Sequence, residues 1–71
     1  MTTLAITNNI RELRFFAGEM SQQELADLVG VSRQTIIAIE KCKYSPTLDV
    51  AFKIAEIFGQ HITDVFQYQN Q

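Results

Sequence analysis

The stretch Ser21 to Glu40, S-Q-Q-E-L-A-D-L-V-G-V-S-R-Q-T-I-I-A-I-E, constrains this chain more than any other. It holds two helix-start signals and one stop. Ser21 with Glu24 makes an S-x-x-E capping box, in which a hydroxyl and a carboxylate satisfy amides that a helix start leaves free. Ser32 supplies a second N-cap. Between them, Gly30 provides the left-handed or otherwise permissive backbone that ends a helix. The pattern predicts a helix over 22–29, a tight turn, and a second helix from Arg33.

Apolar spacing supplies the rest of the frame. With Asn8 or Asn9 as cap, Ile10, Leu13 and Ala17 recur at i, i+3 and i+7, which predicts helix 1 up to about Ala17. Phe16 widens that buried face, Phe15 turns away from it, and Gly18 ends the helix. Helix 2 buries Leu25, Ala26 and Val29. Pro46 disfavours helix at Ser45, so K-C-K-Y-S-P is a loop. Thr47 then caps helix 4, from Leu48 to about Phe58. Leu48, Ala51, Phe52, Ala55 and Phe58 form one apolar face there, and Val50, Ile54 and Ile57 a second. So wide an arc implies a central helix, or one that also meets a partner chain. Gly59 closes helix 4, and Ile62, Val65 and Phe66 predict a short helix 5. No strand alternation or internal repeat stands out. Residues 1–7 are expected as an N-terminal arm, 8–67 as one all-α domain, and 68–71 as a polar tail.

The chain has 71 residues, 46% of them hydrophobic and 20% charged, which suits one small globular domain rather than a disordered segment. The single cysteine, Cys42, excludes an internal disulfide, and the chain has no second cysteine to build a zinc site with His61. No signal-peptide pattern or membrane-length apolar run is present, so a soluble, cytoplasmic protein is expected.

The net charge of −2 argues at first against a phosphate-rich partner. The distribution argues otherwise. Residues 31–53 set Arg33, Lys41, Lys43 and Lys53 against Glu40 and Asp49, a local +2, whereas the remainder carries −4. Positive charge gathers around helix 3 and the loop behind it. On a helical wheel of about 100° per residue, Gln34, Ile37, Ala38 and Lys41 fall on the side of Arg33, while Ile36 and Ile39 fall opposite. Thr35 sits on the margin.

Catalysis has no such support. His61 is suited to a helix cap or the surface, Cys42 has no second group to complete a nucleophile-and-base pair, and no phosphate loop or metal-ligand cluster is present. No enzymatic activity and no cofactor are expected. A DNA-reading helix, by contrast, contacts base edges with its first residues, and Arg and Gln match guanine and adenine there. Arg33, Gln34 and Thr35 occupy those turns. Ile37 and Ala38, farther along, are placed to touch thymine methyl groups, with Ile37 equally suited to packing against protein. Gln22 is placed either to bond a phosphate or to brace helix 3. Lys41, Lys43 and Tyr44 fit phosphate contacts.

Together, Ser21 to Glu40, K-Y-S-P-T-L-D-V-A-F-K-I-A-E-I-F-G and D-V-F-Q-Y resemble the Cro/C1-type (XRE-family) helix-turn-helix regulators, in particular very short members that are little more than the DNA-binding domain. The similarity covers about Ile10 to Tyr68. It implies a five-helix, lambda-repressor-like fold, double-stranded operator DNA as partner, and a homodimer. The family's recognition positions fall on Arg33, Gln34, Thr35, Ile37 and Ala38, and its helix 2 glutamine on Gln22. Its structural ion pair falls on Arg14 and Glu40. Two features depart from the family pattern. Lys41 and Cys42 stand where many members have Asn-Gly, which leaves a backbone phosphate contact by that turn without its usual residues. One additional residue lies between the helix 1 glycine and helix 2.

The expected function is therefore sequence-specific regulation of transcription, as a repressor binding a pseudo-palindromic operator. The competing reading is an antitoxin or similar interaction subunit with secondary DNA binding, suggested by the acidic total and the apolar helix 4. No membrane partner is expected and, lacking a second domain, no small-molecule effector.

Overall fold

Side-chain hydroxyls set three of the helix starts. Ser21 Oγ accepts from the Glu24 amide while Glu24 accepts from the Ser21 amide, both at 2.9 Å, a complete capping box. Ser32 and Thr47 cap in the same way, accepting from the amides of Thr35 and Val50. The computed structural model describes residues 4–70. Five helices, α1 (Ile10–Phe16), α2 (Gln22–Val29), α3 (Arg33–Glu40), α4 (Leu48–Phe58) and α5 (Ile62–Val65), lie between two strands, β1 (Leu4–Asn8) and β2 (Phe66–Asn70). Gly30, with φ of +89°, turns the chain between α2 and α3. No described helix is long and apolar enough to cross a membrane.

The core joins Ile10 of α1, Leu25, Ala26 and Val29 of α2, Ile36 and Ile39 of α3, Ile54 and Ala55 of α4, and Val65 of α5. Each helix contributes its periodic face, so the helices of this small domain share one apolar centre. The α1 face is shorter than its spacing suggests. Ala17 is exposed and Phe16 is 80% exposed, against the expectation that both join the buried face. Phe16 lies about 120° round α1 from Ile10 at about 100° per residue, and Ala17 is already the C-cap, after which Gly18 and Glu19 take left-handed φ, +77° and +60°, and turn the chain off the helix. Met20 packs against the core instead. Phe16 and Phe15 meet edge to face, ring centres 5.5 Å apart.

The strands are the larger departure. The segments expected as arm and tail pair as an antiparallel ribbon where they are described, and it also takes in Asn8 and Phe66, the latter expected in helix 5 but the first residue of β2, with Leu4 opposite Asn70, Ile6 opposite Tyr68 and Asn8 opposite Phe66. Residues 1–3 and 71 lie outside the described residues. Ile6 and Phe66 border an apolar groove of about 170 Å³ with Pro46, Leu48, Ala51 and Ile62. That contact supports a ribbon that, as two strands alone, is marginal in water. Asn8 ties its base to the helices. Its side-chain amide donates to the Ile39 carbonyl at 2.8 Å, and its Oδ1 accepts from the Ile10 amide at 3.2 Å. Asn9 is the N-cap residue by position, but its side chain makes no cap bond and donates to the Asp64 carbonyl instead.

An ion pair joins α1 to α3. Arg14 Nε donates to Glu40 Oε2 at 2.7 Å and Nη2 to Oε1 at 3.1 Å, while Nη1 donates to the Met20 carbonyl at 2.8 Å. The side chains are only 15% and 9% exposed. Replacing Glu40 by Ala strands a guanidinium that is mostly out of water, a loss of about 2–4 kcal/mol in urea denaturation. Lys53→Ala, which breaks the solvent-exposed Asp49–Lys53 pair, should change stability by less than about 0.5 kcal/mol. The turn after α3 offers a gain: Cys42 has φ of +59°, a conformation that costs an L residue about 1–2 kcal/mol. Cys42→Gly relieves that strain at an unfolded-state cost of about 0.5–1 kcal/mol, so a small net stabilisation is expected by the same measurement.

Candidate nucleic-acid interface

The capped start of α3 and the burial of Ile36 and Ile39 fix which side of the helix faces outward. With Ile36 and Ile39 0% and 1% exposed, Arg33 and Gln34 are left in solvent, and neither is held by a hydrogen bond among the described residues. Ile37 and Ala38 are half-buried beside them. Thr35 differs: its hydroxyl lies 3.0 Å from Ser32 Oγ, so it is partly engaged in the cap, as its marginal position on the wheel suggests. Lys41, Lys43 and Tyr44 follow on the exposed turn, where Cys42 takes the left-handed position. The amide of Lys43 donates to the Ala38 carbonyl at 3.0 Å, which folds the turn back over the end of α3.

Gln22 is brought to the same region but is already occupied. Its Nε2 donates to Glu40 Oε1 at 3.2 Å, a bond that braces the end of α3. Glu40 thus receives Arg14 from α1 and Gln22 from α2, and holds both against the end of α3. A cleft of about 510 Å³ opens above this network, lined by Arg11, Arg14, Ser21, Gln22, Ile37, Glu40 and Lys41. Three cations and one carboxylate line it, a local +2 in a protein whose total is −2. Fixed cationic and donor groups around an open cleft suit a phosphate or other anion.

Arg11 is the residue that a reading centred on helix 3 misses. Its signal was the i, i+3 spacing from Arg14, which puts both on neighbouring parts of the α1 surface. His61 and Cys42 stay outside the region's chemistry. His61 is exposed at the start of α5 without a side-chain cap bond, and Cys42 is an exposed free thiol.

Comparison with known proteins matches this geometry to a family. A family model described as helix-turn-helix matches residues 10–65, from the start of α1 to the end of α5. An uncharacterized HTH-type transcriptional regulator of Methanocaldococcus jannaschii is 59% identical over 51 residues, covering 72% of this chain and 77% of its own. The HTH-type transcriptional regulator YgzD of Bacillus subtilis is 44% identical over 64 residues, covering 90% and 96%. The cryptic phage CTXphi transcriptional repressor RstR of Vibrio cholerae is 34% identical over 59 residues, covering 83% of this chain and 52% of its own. The helix pair α2–α3, the match across nearly all of the helical body and these relatives establish that the chain belongs to the Cro/C1-type helix-turn-helix family of transcriptional regulators.

Proposed function

We propose that the protein is a sequence-specific repressor that binds a pseudo-palindromic operator as a homodimer, with α3 in the major groove. The observation that carries this reading is the division of α3: Ile36 and Ile39 are held in the core, and Arg33 and Gln34 stand in solvent at its first turn, unpaired among the described residues. These are the side chains with donor and acceptor patterns suited to guanine and adenine edges. Ile37 and Ala38 supply apolar contact farther along, Thr35 a lesser polar one. Lys41, Lys43 and Tyr44 hold phosphates, and Gln22 contributes its remaining amide hydrogen while bracing Glu40. The repressor assignment draws support from the relative named as one. The protein acts in the cytoplasm, and its own abundance, rather than a small-molecule effector, sets its occupancy of DNA.

Two copies are needed to place recognition helices about 34 Å apart along one face of DNA. Leu48 and Phe52 of α4, 69% and 53% exposed, provide apolar surface suited to such a contact. The same two residues support the competing reading of an antitoxin-like subunit that buries α4 against a different protein. Solution mass separates them, since a homodimer of the isolated protein supports the first reading and a monomer the second.

Selection of bound sites from random duplexes should return a two-fold-related motif. Arg33→Ala should weaken binding to that motif by about 1–3 kcal/mol and relax preference at one base pair per half-site, with the thermal midpoint unchanged. Unaltered affinity and preference in this variant would overturn the assignment of α3 as the reading helix.

A further inference from the structure

We infer that Asn8, at the base of the ribbon, is a positioning residue of the DNA interface, which holds the strained turn after α3 in the shape that presents Lys41, Lys43 and Tyr44. The inference rests on the DNA-binding reading above and adds to it a residue that acts without touching DNA. Three observations carry it. First, the turn has the bonding of a Schellman cap but lacks its glycine. The Lys43 amide donates to the Ala38 carbonyl at 3.0 Å and the Cys42 amide to the Ile39 carbonyl at 2.9 Å, with Cys42 at φ +59° in the left-handed position that glycine usually fills. Such a conformation persists in an L residue when its surroundings over-determine it. Second, Asn8 supplies that support from 31 residues away in sequence. Its Nδ2 donates to the same Ile39 carbonyl at 2.8 Å and lies 3.9 Å from Cys42 Sγ. Third, the brace is anchored elsewhere than on the turn. Asn8 Oδ1 accepts from the Ile10 amide at 3.2 Å, and the backbone amide of the next residue, Asn9, donates to the Val65 carbonyl at 2.9 Å.

A turn that samples several shapes binds a phosphate in proportion to the time it spends in the competent one. One ordinary hydrogen bond biases such a population by about threefold to tenfold. Asn8 carries no charge, and both polar atoms of its side chain are engaged within the protein. Its effect on DNA therefore passes through the turn. A purely structural Asn8, pinning the ribbon to the helices, has a different signature: it alters the thermal midpoint and leaves the affinity of the folded protein alone.

The test measures affinity for the selected operator and for an unrelated duplex, well below the thermal midpoint of every variant. Asn8→Ala and Asn8→Ser should each weaken both duplexes by about threefold to tenfold. The Ser variant keeps an acceptor for the Ile10 amide but is too short to reach the Ile39 carbonyl, so it isolates the lost donor should Asn8→Ala fail to fold. Asn9→Ala removes the neighbouring side-chain bond to the Asp64 carbonyl of α5 and should leave affinity unchanged. Two further backgrounds separate positioning from general damage. With Lys41→Gln and Lys43→Gln already in place, adding Asn8→Ala should cost less than about twofold, because the contacts that it positions are gone. Cys42→Gly removes the strain that the brace opposes, and it should restore most of the affinity lost in Asn8→Ala. Wild-type affinity in both Asn8 variants would overturn the inference and leave the DNA-binding reading standing. An equal loss in Asn9→Ala would also overturn it, by showing an effect of the ribbon as a whole. So would a loss that stays at full size in the Lys41→Gln, Lys43→Gln background, or one that Cys42→Gly leaves untouched. Wild-type protein that binds no duplex would overturn the DNA-binding reading and the inference with it.

Discussion

The carboxylate of Glu40 is the interaction on which the arrangement of the interface depends. It ends α3, accepts two hydrogen bonds from Arg14 and one from Gln22, and so fixes α1 and the start of α2 against α3. Apolar packing alone leaves helices some freedom to slide, since many side-chain arrangements of similar volume are tolerated. A forked guanidinium on a carboxylate is far more directional. The ion pair therefore sets geometry, while Ile36, Ile39 and Leu25 join the rest of the buried core in the apolar burial that favours folding. Arg14 is consequently fully engaged, with Glu40 and with the Met20 carbonyl.

Local signals made most of the helical body legible. The three hydroxyl caps, Gly30 and Pro46 fixed the helix boundaries, because each acts within a few residues of itself. Burial was less legible where the chain changes direction. Phe16 was expected to widen the buried face, but at about 100° per residue it lies about 120° round α1 from Ile10, and it is 80% exposed. The ribbon was hidden for a different reason. Phe66-Gln67-Tyr68-Gln69 does alternate, but a stretch this short is recognisable as a strand only beside its partner, which lies at the other end of the chain.

The site divides similarly. Arg33 and Gln34 followed from periodicity, since a helix with two isoleucines inward must turn its first residues outward. Thr35 and Gln22 needed coordinates, because their hydrogen bonds to Ser32 and Glu40 depend on distances that no spacing rule supplies. Arg11 needed the Arg14–Glu40 pair that joins α1 to α3, which brings an unremarkable surface arginine to the edge of a cationic cleft.

The ribbon has a consequence for how the molecule opens and closes. Pairing Leu4 with Asn70 closes nearly the whole described chain into one loop, the most distant contact in sequence, whereas α2 and α3 meet across a single turn. Loop-closure entropy falls most heavily on the distant contact, so the ribbon can form only after the helices have brought its strands near each other. It can also separate without their melting, since few of its side chains reach the common core. Its amides then exchange with solvent through a local event, while those of α2, α3 and α4 await global unfolding. A single small domain thus contains two tiers of cooperativity, with the fraying tier in the ribbon and α3 in the stable one.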